Sequence, residues 1–240
     1  MAEFDTVRSA YAGARSAQID EGLRAHMNKV YGLMSVAMVI TGAVAYLVGT
    51  NEALMVAIYG SGLKWVVMFA PLIVVFAFGA MIQRMSAAAA QAVFWGFSAL
   101  MGLSIGWIFA VYTGISIAQV FLVTAIAFLS LSLYGYTTKR DLSGMGAFLI
   151  MGVVGLIVAS IINIFLMSSA VMFAVSVIGV LIFAGLTAYD TQNIKNTYLA
   201  MAMQGDSEWL GKSAVMGALQ LYLDFINMFM FLLNLLGNRE

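Results

Sequence analysis

The chain has 240 residues, 63% of them hydrophobic and only 9% charged, against about 25% charged in ordinary soluble domains. Eleven Lys and Arg balance eleven Asp and Glu, so there is no basic surface for nucleic acid, and the absence of cysteine excludes thiol catalysis, disulfides and thiolate metal sites. What remains is an all-α polytopic membrane protein.

Residues 1–25 are polar and mixed in charge (Glu3, Asp5, Arg8, Arg15, Asp20, Glu21, Arg24). They lack the basic start, apolar run and small-residue cleavage site of a signal peptide. They read as a polar cytoplasmic N-terminal segment, and the first membrane helix is expected to serve as the targeting signal. Residues 26–240 read as a single membrane domain. A helix needs about 20 apolar residues to cross ~30 Å of hydrocarbon. Runs at 27–49, 65–83, 88–112, 115–136, 144–166, 170–192 and 213–236 meet that length, which predicts a seven-transmembrane-helix bundle. The joints are short, among them Asn51 to Lys64, Arg84 to Ala88 and Asn193 to Lys212, the last a loop of about 20 residues. Pro71, the only proline, is expected to kink the second helix rather than end it. Gly102 and Gly106 form a GxxxG that lets helices approach closely. The 18 methionines read as apolar gap-filling.

Seven spans place Arg8, Arg15, Arg24, Lys29, Arg84, Lys139, Arg140, Lys195 and Lys212 on one side, and Lys64 and Arg239 on the other. The positive-inside rule then puts the N-terminus in the cytoplasm and the C-terminus outside.

Two carboxylates lie inside the last two spans. A lone carboxylate in hydrocarbon costs at least ~2.5–3.5 kcal/mol on insertion scales, so each must find a partner, a proton, an ion or water. In the seventh span Gln220, Asp224, Asn227 and Asn234 share one helical face, extended by Gly217. In the sixth, Ser176, Gly179, Thr187 and Asp190 do much the same. The two stripes are expected to face each other, with Thr187, Gln220 and Asn227 supporting a path. At 1.5 Å per residue, Asp190 lies about 8 Å from Lys195 and Asp224 about 18 Å from Lys212, a mismatch of about 10 Å. Two such carboxylates in a low dielectric cannot both ionise cheaply, and one proton can be shared. Its loss leaves two repelling charges and a hard-oxygen site suited to Ca²⁺. The alternative is that each carboxylate pairs with a nearby Asn, Gln, Thr or Tyr and simply holds the fold. Arg84, at the end of the second span, either neutralises a carboxylate or snorkels to the interface.

Covalent catalysis finds no support. The seventh span has no lysine for a retinal Schiff base. Asp190 follows Leu-Thr-Ala-Tyr rather than the Gly-x-Gly loop of an intramembrane aspartyl protease. A serine nucleophile needs a base, and the only histidine, His26, stands at the start of the first span.

GLTAYDTQNIK at 185–195, LYLDFINMFMFLLNLLG at 221–237, KRDLSGMG at 139–146 and INIF at 162–165 resemble the transmembrane Bax inhibitor motif family in its bacterial branch, over residues 25–237. The resemblance implies seven membrane helices with a cytoplasmic N-terminus. It also implies a pH-sensitive Ca²⁺ leak closed by a di-aspartyl pair, which falls on Asp190 and Asp224. The family engages that pair with an arginine at the end of the second helix, where Arg84 is the candidate. Some bacterial members interact with a membrane-anchored ATP-dependent protease.

The leading expectation is thus a non-enzymatic protein of the bacterial inner membrane that passes Ca²⁺ passively. Asp190 and Asp224 are its proton-sensing gate and transient Ca²⁺ ligands, and no resident cofactor is expected. Two other readings stand beside it: a regulatory partner of membrane proteolysis or quality control, handled through residues 1–25, and an H⁺-coupled transporter.

Overall fold

A computed structural model describes the backbone of residues 2–201 and 206–239, with side chains from residue 18 onward. The chain is helical nearly throughout. In order come α1 (Ala2–Gly49), α2 (Glu52–Tyr59), α3 (Leu63–Met81), α4 (Ala87–Ile105), α5 (Gly114–Thr137), α6 (Ser143–Leu166), α7 (Ser169–Met201) and α8 (Ser207–Leu236). Short 3₁₀ turns, Ile82–Arg84 and Gly106–Ala110, extend α3 and α4. Seven helices are long and apolar enough to span a membrane, and only α2 is too short. Large apolar side chains such as Val39, Phe76, Phe148 and Phe165 point outward, as a lipid-facing belt requires and a water-facing surface rarely tolerates.

Local sequence sets the boundaries. Asn51, Ser86, Thr113 and Asp206 are N-caps whose side-chain oxygens accept backbone N–H groups of the following turn, satisfying donors that a helix start leaves bare. Met167, at φ 49°, takes the left-handed conformation that stops α6. Pro71 lies inside α3, which continues to Met81. From Ala2 the backbone of α1 runs without a break into the first span, because Ala, Arg, Gln and Glu favour helix and no proline interrupts them. The joint between the last two spans is also shorter than expected. α7 continues to Met201 and α8 begins at Ser207, because a helix does not stop where its hydropathy falls.

The bundle is arranged around α8. It packs on α7, α1, α5 and α4, whereas α6 leans on α7 and α3 leans on α4. Tyr222, Leu221, Met228 and Leu233 of α8 are almost fully buried. A hydroxyl network pins the centre. Thr41 of α1 donates to the Ser98 carbonyl of α4 at 2.8 Å and lies 2.7 Å from the Tyr222 hydroxyl. Since the Thr41 proton is committed to Ser98, Tyr222 is the donor to Thr41. The Tyr222 ring meets Phe94 and Phe97 edge-on at 5.7 and 5.9 Å, a favoured aromatic geometry. The expected role of the GxxxG holds: a side chain on Gly102 would collide with the Thr41 backbone and Val44, and one on Gly106 would press on Ala45 and Val48.

Candidate functional site

The side chains of Asp190 (α7) and Asp224 (α8) meet within hydrogen-bonding reach of each other. Asp224 is 4% exposed and Asp190 is half-buried. Asp224 Oδ2 is buried without a donor. Two ionised carboxylates have no hydrogen to give each other, and a single proton between them supplies it.

Helix packing explains how the two meet despite their unequal distances from the flanking lysines. A Cβ on Gly217 would touch Ile194 at 3.0 Å, and one on Gly179 would run into the Phe231 ring. These close approaches set the antiparallel register of α7 and α8. Counted from the 194/217 contact, Asp190 stands about 6 Å along its helix and Asp224 about 10 Å along its own. The mismatch falls to about 4 Å, within reach of side chains and helix tilt. The lysines mislead because Lys212 lies inside α8 and not at its start.

The residues that follow Asp190 are bound elsewhere. Thr191 donates to the Thr187 carbonyl at 2.7 Å and lies 2.9 Å from Ser132 of α5, which lies 2.5 Å from the Tyr31 hydroxyl of α1. With the Thr191 proton committed, the chain of donation runs Tyr31 to Ser132 to Thr191. Gln192 accepts from Leu142 N and donates to the Arg140 carbonyl, both at 2.8 Å. Lys195 donates to the Tyr136 carbonyl at 2.7 Å. One face of the α7 turn thus holds α5 and the 138–142 loop, and Asp190 is left facing α8.

A cavity of about 230 Å³ lies on the side of the pair towards the α7–α8 joint. Asn193, Thr197, Ser213, Gln220 and Lys212 give it polar walls, with Gln83, Trp209 and Met216 beside them. Asn193 and Thr197 follow Asp190 at helical spacing, and Gln220, Gly217 and Ser213 precede Asp224 likewise, so the cavity continues both stripes. On the opposite side the seam is filled: Phe183 stacks on Phe231 at 5.9 Å, and Met228 and Leu233 are buried. The cavity therefore ends at Asn193 and Gln220, one turn short of the pair on each helix, and the seam beyond the pair is filled. At its mouth Glu208 accepts from Ala87 N at 2.5 Å, tying the start of α8 to the start of α4.

Of the expected supporting residues, Gln220 lines the cavity. Thr187 is fully buried and donates to the Phe183 carbonyl of its own helix at 2.8 Å. Asn227 likewise donates to the Leu223 carbonyl at 2.8 Å. Both are satisfied within their helices, and neither lines the cavity. Arg84 is exposed and is not among the groups acting on either carboxyl; its neighbour Gln83 lines the cavity. Asn193, Thr197 and Ser213 were not anticipated, although extending each stripe one or two turns finds them. Among the described residues no cluster of three or more His, Asp or Glu could chelate a metal; the pair offers two carboxylates only.

The family described as inhibitor of apoptosis-promoting Bax1 matches residues 23–240. Inner membrane protein YbhL of Escherichia coli K12 is 46% identical over 220 residues, covering 91% of this chain and 94% of its own. An uncharacterized protein of Caulobacter vibrioides is 45% identical over 243 residues, covering 97% of this chain and 96% of its own. Uncharacterized protein RP147 of Rickettsia prowazekii is 41% identical over 237 residues, covering 99% of both chains. The seven apolar helices, the outward belt and this match across nearly the whole length make the chain a polytopic membrane protein of the Bax inhibitor family.

Proposed function

We propose that the chain is a passive Ca²⁺ leak of the bacterial inner membrane, gated by protonation of the Asp190/Asp224 pair, with the cavity opening to the cytoplasm. The observation that carries the reading is the contact of two carboxyls, one of them buried, one helical turn beyond the end of a polar cavity. The name of the YbhL relative and the nine basic residues on the cavity's side support the membrane and the orientation. A shared proton bridges α7 and α8. Its loss leaves two like charges in a low dielectric, and their repulsion parts the helices where the aromatic seam closes the path. Ca²⁺ takes six to eight oxygens. The two carboxylates, the side-chain oxygens of Gln220 and Asn193, and water supply these in passing, so the ion is cargo. A leak needs no energy source and no covalent step.

The test is reconstitution into vesicles loaded with a Ca²⁺ indicator, with external pH varied. Wild-type flux should rise as pH rises. Asp190→Asn and Asp224→Asn each remove the pair's second charge and should give flux that no longer follows pH. Identical pH-dependent flux in all three proteins would overturn the gate. Uphill movement driven by a pH gradient would replace the leak with H⁺-coupled transport.

A further inference from the structure

α1 and α5 both pack on α8 but scarcely on each other. The trough between them is a second feature, independent of the carboxyl pair. Its deep part has a volume of about 540 Å³ and is walled by Met34, Met38, Gly42, Phe121 and Leu129, with Phe225 of α8 among them. It continues, through the shared residues Tyr31 and Leu129, into a part of about 310 Å³ bounded by Arg24, Asn28 and Tyr136. From Arg24 to Gly42 the trough follows α1 for about 27 Å, close to the ~30 Å of the hydrocarbon layer. Its character changes along that length: almost wholly aliphatic and aromatic below Tyr31, and mixed above, where Met27 and Leu133 are joined by Arg24, Asn28 and Ser132. At the polar end Arg24 is exposed, and the Lys195 ammonium lies 5.3 Å over the Tyr136 ring. Asp20 and Glu21 stand one turn farther out on α1.

At hydrocarbon depth water cannot fill an apolar trough, and an empty one forfeits contact along its whole lining. We propose that this trough seats one anionic phospholipid, with an acyl chain along Met34, Met38 and Phe121 and the phosphate at Arg24 and Asn28. Arg24 suits a phosphate through its planar fork of donors. The site also touches both halves of the carboxyl pair's surroundings. Phe225, which lines the trough, follows Asp224 in the chain. Tyr31, which also lines it, is joined through Ser132 to Thr191, which follows Asp190.

Native mass spectrometry of the full chain, released from detergent after exposure to phosphatidylglycerol or phosphatidylcholine, tests this without any measurement of ion flux. The wild type should retain one phosphatidylglycerol per chain in preference to phosphatidylcholine. Arg24→Gln should equalise the two lipids. Gly42→Trp should abolish retention by filling the deep part, where a Cβ added at Gly42 meets nothing within 4 Å. Gly96→Trp, at an exposed glycine outside the trough whose Cβ also meets nothing, should behave as wild type. Equal retention of both lipids by the wild type, unchanged retention in Gly42→Trp, or equal loss in Gly96→Trp would each overturn the assignment.

Discussion

The Tyr222–Thr41–Ser98 network makes an asymmetric prediction. Tyr222→Phe removes one donor and leaves nothing stranded, because Thr41 still donates to the Ser98 carbonyl. Its cost should match an ordinary interhelical hydrogen bond in lipid, about 0.6 and at most ~1.7 kcal/mol. Thr41→Val keeps the shape of Thr41 but strands the Tyr222 hydroxyl, which is fully buried between Phe94 and Phe97. An unsatisfied buried donor costs about 1–3 kcal/mol, so this variant should be the worse of the two. The double variant removes both polar groups and should be less destabilised than the sum of the singles, a coupling of about 0.5–1.5 kcal/mol for residues in direct contact. Unfolding in mixed micelles of a mild detergent and dodecyl sulfate measures all three. Equal losses in the single variants, or strictly additive losses in the double, would refute the direction of donation assigned here.

Gln192→Ala should release the 138–142 loop, since Leu142 N and the Arg140 carbonyl both lose a side-chain partner. Trypsin cleavage at Lys139 and Arg140 should accelerate, with a stability loss of about 1–3 kcal/mol for two hydrogen bonds. Gly179→Val drives a branched side chain into Phe231 and should cost about 1–3 kcal/mol by overpacking, whereas Gly155→Ala, whose Cβ meets nothing, should gain about 0.5–1 kcal/mol from helix propensity; the same micelle titration separates them. Outside the membrane, hydrogen bonds from Ser143 hold the Asp141 carboxyl below the usual carboxylate range. A depressed folded-state value means that its contribution at the start of α6 is complete above the ordinary carboxylate range and fades as pH falls through the folded value. Asp141→Asn should therefore narrow the stability difference between neutral and strongly acidic pH, read from unfolding midpoints.

How much of this was legible beforehand depends on the length scale of each signal. Burial in lipid writes itself into twenty consecutive residues, so the seven spans and the Gly102/Gly106 seat could be read directly. Asp190 and Asp224 stand out in the sequence for a related reason, because a charge in hydrocarbon needs a partner, a proton, an ion or water. The helix ends at the α7–α8 joint were not, since polar helical turns leave no mark in hydropathy. α2 was hidden for the opposite reason: eight residues are too few to carry a span's signature, and its start rests on the Asn51 cap alone. The partners of Tyr222 and Gln192 were out of reach. Thr41 and Tyr222 lie 181 positions apart, and nothing in either residue's neighbourhood names the other.

The polar residues of α7 and α8 divide into two groups, and the division bears on how a gate can be built. Thr187, Thr191, Gln192, Lys195 and Asn227 each spend their hydrogen-bonding capacity on a backbone carbonyl, a loop or a hydroxyl of a neighbouring helix. Of these, Gln192, Lys195 and the Thr191–Ser132 contact tie α7 to α5 and its loop, whereas Thr187 and Asn227 bond only within their own helices. Among the described residues Asp190 and Asp224 find only each other. An element that switches must be bistable inside a frame that is not. In the gate proposed above the frame is the α5–α7 seam with its loop, and the interaction conditional on a proton is the one between α7 and α8. In the proposed gate the bonds from α7 to α5 made by Thr191 and Lys195 point away from α8, so parting the carboxyls does not by itself break them, whereas the aromatic contacts of Phe121 and Phe128 with α8 limit how far α8 can move from α5.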